Sequence, residues 1–197
     1  MNMKRVDGKP CKPPEKRVRP GNGNLPEGEN ELEAGHYAQA ASIARAILAK
    51  DPNHLGGLEL LARACWRAGD FERGLDTLRH LIRLNPYEPG YHYLRGSALQ
   101  ALGHYGESIR AYSRCLDSDS DTLRQQTATA IRELERWQEG VIAELIANDR
   151  VFRADYQQDP LAACQRRGFA FCAEDSTAAI NLAATRESVA AVYLRPS

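Results

Sequence analysis

A three-residue signature returns every 34 residues: Gly35-His36-Tyr37, Gly69-Asp70-Phe71 and Gly103-His104-Tyr105. A second marker keeps the same phase, as Asp51-Pro52-Asn53, Asn85-Pro86-Tyr87 and Asp119-Ser120-Asp121. A period of this length constrains the fold, because each unit is one supersecondary element that buries its apolar face only against its neighbours. Between the markers apolar residues fall in helical phase, with Leu58, Leu61, Ala62 and Cys65 in one segment and Leu75, Leu78, Leu81 and Ile82 in the next. Each unit is therefore expected to be a helix-turn-helix. The recurring glycine tolerates the left-handed backbone that ends a first helix, and the aromatic two residues later fills the gap between helices. The proline of the second marker stops one unit before the next begins. Small residues at Ala62 and Gly96, and again at Ala40, Gly74 and Ser108, allow the paired helices to approach closely.

On these residues the chain resembles the tetratricopeptide repeat (TPR) family. Leu58-x2-Leu61-Ala62-x2-Cys65, Gly74-x3-Leu78 and Pro86 carry one repeat, and His92-x2-Arg95-Gly96-x2-Leu99 with Ser108-x3-Tyr112 carries the next. An earlier unit keeps its second helix through Ala40, Ala44, Ile47 and Pro52, with a first helix shortened to about Glu27–Ala34. The expected fold is mainly α. A TPR solenoid spans residues 29–122, with one truncated and two full repeats. A capping and linking helix spans 123–147, and a small C-terminal unit 148–197. The cap is read from a stripe of Leu123, Thr127, Ala130, Leu134, Trp137, Val141 and Leu145.

The resemblance implies a protein-binding scaffold that grips a peptide on a concave face lined by the first helix of each repeat. There Glu59, Arg63, Trp66 and Arg67 lie off the core face, with Tyr93 and Gln100 as counterparts one unit later. An aromatic beside two guanidinium groups suits an acidic or C-terminal carboxylate peptide. The same residues also fit a Glu59–Arg63 surface pair and a Trp66 packed on a neighbour, and both readings stay open. The Lys/Asn clamp of chaperone-binding TPRs is not matched, because Glu59 stands at a basic position.

Further on, Asp159-Pro160 and Gly168 bracket a helix through Leu161, Ala162, Ala163 and Cys164. Two apolar runs, 179–183 and 189–194, flank the polar residues 185–188 and read either as a β-hairpin or as one final helix from Ser176. Residues 140–194 are similar to the leader-like region of the nitrile hydratase α subunit, which also serves as the leader of some modified ribosomal peptides. The carrying residues are Val141-Ile142-Ala143, Asp149 to Arg153, Asp159 to Ala163, Gly168 and Val192 to Pro196. That resemblance implies a second function, as a substrate, carrier or recruitment protein recognised by a peptide-modifying enzyme, with Val189–Leu194 as an edge for strand addition. The enzyme's cysteine-rich metal site is not carried over.

The chain's formal charge is zero, but residues 1–20 are +5 and the rest −5. Residues 1–28 hold little to bury and read as a disordered basic Pro/Gly-rich tail, with nucleic acid or an acidic surface as a lesser expectation. Cys65 and Cys115 read as buried hydrophobes, whereas Cys164 and Cys172 lack metal-ligand spacing. Glu133, Glu135 and Glu139 with Arg132 and Arg136 read as a solvated charged face. No phosphate loop, nucleophile elbow or dinucleotide fingerprint is present, so neither an enzyme nor a cofactor is expected. With no apolar run of membrane-spanning or signal-peptide length, the expected location is cytoplasmic and away from membranes.

Overall fold

The computed structural model describes residues 24–172, which form helices α1 (Leu25–Glu33), α2 (Tyr37–Leu48), α3 (Leu55–Ala68), α4 (Phe71–Leu84), α5 (Pro89–Ala101), α6 (Tyr105–Ser113), α7 (Asp121–Asn148), α8 (Arg150–Gln158) and α9 (Pro160–Arg166). Most of the basic tail, and the segment expected as a hairpin or final helix, lie outside these residues. Each helix packs chiefly on the next in sequence, and α3 also packs on α1, giving a solenoid of helix pairs. No described helix is long and apolar enough to cross a membrane.

The repeat marker works as its chemistry requires. Gly35, Gly69 and Gly103 have φ of +81°, +75° and +81°, and each closes its helix in the same way. At the second of these, the Asp70 amide donates to the Cys65 carbonyl at 2.9 Å and the Gly69 amide to Trp66 at 3.2 Å, and the pattern recurs after α1 and α5. The starts of α3 and α5 are held by side chains, with His54 Nδ1 accepting from the Gly57 amide at 3.0 Å and Glu88 from Gly90 at 3.1 Å.

Small residues set the helix spacing. The Tyr112 ring lies flat against Gly96, where a methyl group would stand 2.6 Å from it, and Ser108 Oγ donates to the Gly96 carbonyl at 2.7 Å. Cys65 and Cys115 are buried as expected. Burial pushes the Cys115 thiol up to about 11.

Three details differ from the sequence reading. Helix α1 begins at Leu25, inside the segment expected to be tail, because Leu25 joins the first core cluster and Gly28 seats against Leu60. The buried stripe of α7 is Thr127, Ile131, Leu134, Gln138, Ile142 and Ile146, and Trp137 is 43% exposed. The expected stripe drifts off this line because it took Ala130 and Trp137 as core, whereas Trp137 lies at the rim against Tyr105, the two rings tilted by 56° with centroids 4.3 Å apart. Glu135 is 7% exposed and accepts the Cys172 amide at 2.6 Å, so the expected solvated face of Glu133, Glu135 and Glu139 is broken at its centre.

The C-terminal half of α7 belongs to a second core. Ile142 and Ile146 pack with Phe152, Tyr156, Ala163, Cys164 and Phe169, so the expected division at residue 148 runs through one cluster. Asp149 ends α7 and caps α8, accepting from the Val151 and Phe152 amides at 2.9 and 3.0 Å. Asp159 caps α9 through Ala162 at 2.9 Å, and Gly168 (φ +85°) closes it with the same turn that closes the repeats.

Candidate peptide-binding face

The first helices of the units, α1, α3 and α5, are bridged by side chains one repeat apart. Arg63 on α3 makes two hydrogen bonds to the Glu29 carboxylate on α1, at 3.0 and 2.8 Å. Tyr91 on α5 donates its hydroxyl to Glu59 on α3. The Trp66 indole N–H donates to Ser97 Oγ on α5 at 3.0 Å, and the Arg67 guanidinium lies 5.7 Å from the Trp66 ring centre. Burial raises the Tyr91 hydroxyl pKa well above its usual range, and the Glu59 carboxylate beside it adds to the effect. Tyr91 therefore stays a neutral donor.

Between α3 and α5 lies a depression of about 270 Å³ lined by Glu59, Ala62, Arg63, Tyr91, Tyr93 and Leu94. Three of the predicted residues, Glu59, Arg63 and Tyr93, meet there. Trp66 and Arg67 lie further along the same α3–α5 seam. Gln100 does not join them, since its Oε1 accepts from the Tyr112 hydroxyl at 3.1 Å, behind the Tyr93 ring that sits 5.5 Å from Tyr112. Burial, reinforced by Tyr93, pushes Tyr112 up to about 12.

Of the two readings left open for this face, the pairing is of the plainer kind with a changed partner. Arg63 bonds Glu29 rather than Glu59, and Trp66 is anchored to a neighbouring helix. Sequence reasoning missed Glu29, Tyr91 and Leu94. The signal for Glu29 was present, because it stands 34 residues, one full period, before Arg63. Chemically the depression offers a carboxylate, a guanidinium and two phenols over an apolar floor. Among the described residues no group of three or more His, Cys, Asp or Glu side chains is placed to hold a metal ion.

Residues 31–98 match a family profile described as tetratricopeptide repeat, and residues 89–122 match a second profile of the same description. With the helix pairing above, the fold of this region is a tetratricopeptide-repeat helical solenoid, and such repeats support a protein–protein interaction scaffold. No curated protein matches the chain. The leader-like resemblance gains nothing from these matches, which end at residue 122, and its closing Val192 to Pro196 lie outside the described residues.

Proposed function

We propose that the protein is a cytoplasmic scaffold that binds a peptide segment of a partner protein on the concave face formed by α1, α3 and α5. The depression at Glu59, Arg63, Tyr91 and Tyr93 carries this reading, because it places charged and aromatic groups around an apolar floor in the manner of an anchor pocket. The bidentate Glu29–Arg63 pair bears on the ligand's charge. An acidic residue of the partner competes with Glu29 for Arg63, whereas Arg67, without a carboxylate among the described residues, accepts one directly. The Arg63→Ala/Trp66→Ala/Arg67→Ala protein should lose a partner recovered from the native host by affinity capture, while its thermal unfolding stays near that of the wild type. Undiminished capture would sink the assignment of this face. Recruitment by a peptide-modifying enzyme through the C-terminal unit rests on the sequence resemblance alone.

A further inference from the structure

After α9 the chain behaves as a ligand for its own repeat array. The Gly168 carbonyl lies against Gly106 on α6, so closely that a methyl group at Gly106 would collide with it. Ala170 exchanges two hydrogen bonds with the Gln138 side-chain amide, its N–H donating to Oε1 at 3.1 Å and its carbonyl accepting from Nε2 at 2.7 Å. The Cys172 amide donates to Glu135, and its sulfur accepts from Ser113 Oγ at 3.8 Å. The segment thus passes from the first turn of α6 to its last in four residues. Seven helical residues rise roughly 10 Å, a span that four residues cannot cover as helix, at about 6 Å, but cover with ease in an extended form, which reaches about 13 Å. The groove between α6 and α7 therefore receives an extended main chain.

Gly106 and Ser113 stand 68 residues, two repeat periods, after Ala38 and Arg45. On α2 both of these residues are exposed. With Ser42 they form one wall of a cleft of about 410 Å³, floored by Cys65 and Ala68 of α3. The far wall is Asp70 and Arg73 at the start of α4. The cleft repeats the architecture of the occupied groove, a second helix of one unit beside the first helix of the next.

Two differences define the guest. The Ala38 methyl stands where Gly106 has only hydrogen, so a main chain in this cleft lies further out than Gly168 does. The walls are also charged. Arg73 is paired with Asp70 at 3.0 Å, whereas exposed Arg45 makes no ion pair among the described residues. Burial raises the Cys65 thiol pKa, Asp70 adds to this, and Arg45 and Arg73 oppose it, so both guanidinium fields reach the floor. An extended guest is thus favoured when it sets a carboxylate against Arg45.

We infer that the α2–α3 cleft is a second peptide-docking surface, separate from the α3–α5 face, which takes an extended partner segment of small and aromatic apolar residues followed by an acidic side chain. The chain's own 168–175 sequence has that composition, with Glu174 and Asp175 after the apolar residues. A fluorescein-labelled peptide of that sequence, with serine in place of its cysteine, serves as the probe in anisotropy titrations of the full-length protein. Saturable binding is expected, weakened tenfold or more by Arg45→Glu, by Ala38→Phe, and by replacing the probe's two acids with their amides. Arg63→Ala and Trp66→Ala should leave it within twofold. Both α2 positions are exposed, and circular dichroism checks that the variants fold. The proposal is overturned by absent saturable binding, by indifference to Arg45→Glu and to the amide probe, or by a loss confined to Gln138→Ala, which would place the peptide in the α6–α7 groove.

Discussion

The repeat array and the C-terminal unit are both helical, yet they are held together differently. Contacts within the array recur from unit to unit: small residues such as Ala40, Ala44, Ala62 and Ala64 are almost wholly buried beside the aliphatic side chains Leu60, Leu78, Leu81 and Ile109, and Gly96 lets the Tyr112 ring sit on the helix backbone. Close approach of backbones at the small positions is a feature the pairs share. The C-terminal unit has its own cluster, with Ile142, Ile146, Phe152, Tyr156 and Phe169 around Ala163 and Cys164, and fastens its last residues with side-chain hydrogen bonds to main chain from Gln138 and Glu135. One region is specified by a repeating spacing, the other by individual contacts. A repeated spacing tolerates substitution at single positions because its neighbours restate it, whereas a contact made once has no substitute.

The comparison breaks first at Phe152. Its ring is almost wholly buried, and Phe152→Ala should cost about 3–5 kcal/mol, read as a lower urea midpoint. Hydrogen exchange should accelerate in α8, α9 and the end of α7 while amides of α2 to α4 keep their protection. Equal acceleration throughout would mean that the two regions unfold as one unit.

A smaller effect is expected in the array. At Gly96→Ala the added methyl meets the Tyr112 ring, and overpacking of this kind costs about 1–3 kcal/mol, read as a fall in the Tm. Combined with Tyr112→Leu, which vacates the ring, the loss should be less than the sum of the two single changes. Simple additivity would show that the close approach of α5 and α6 does not depend on this pair.

The smallest effect concerns acid. The Asp149 carboxyl titrates below its usual range, chiefly because the Phe152 amide donates to it, with Arg167 at 2.6 Å adding to the effect. A carboxylate with a depressed folded-state pKa gives stability that is present above about pH 4, the ordinary value, and is lost as the pH falls through the depressed one. Asp149→Asn keeps a capping oxygen but not the charge. Its Tm should fall less steeply than the wild type's on acidification below about pH 4, and an unchanged slope would remove Asp149 from the acid response.

These differences also account for what could be read in advance. Gly35, Gly69 and Gly103 state the array's geometry three times, and the prolines Pro52 and Pro86 and the small residues Ala62 and Gly96 state it twice more in the same phase, so periodicity alone recovers it. The start of α1 was obscured by Pro26 and Gly28, which look like tail residues but serve as a first-turn proline and a seat for Leu60. In α7, Gln138 and Glu135 are polar residues on the buried face, and pattern reading assigns polar residues to solvent. Nothing local to Gln138 reveals that its partner lies 32 residues on. On the binding face, Glu59 and Arg63 were visible as charges off the core stripe, whereas their true partners, Tyr91 and Glu29, sit on other helices.

The two hydrogen bonds between Gln138 and Ala170 have a consequence for how this protein accepts mutations. Gln138 addresses only the amide and carbonyl that almost every amino acid possesses at position 170. Replacement there leaves both bonds available unless proline removes the N–H. At position 138 the same contact needs one donor and one acceptor at a fixed reach, which asparagine is a methylene too short to supply. The burden of the contact therefore falls on one of its two partners, and a survey of viable substitutions should find a permissive site facing an intolerant one.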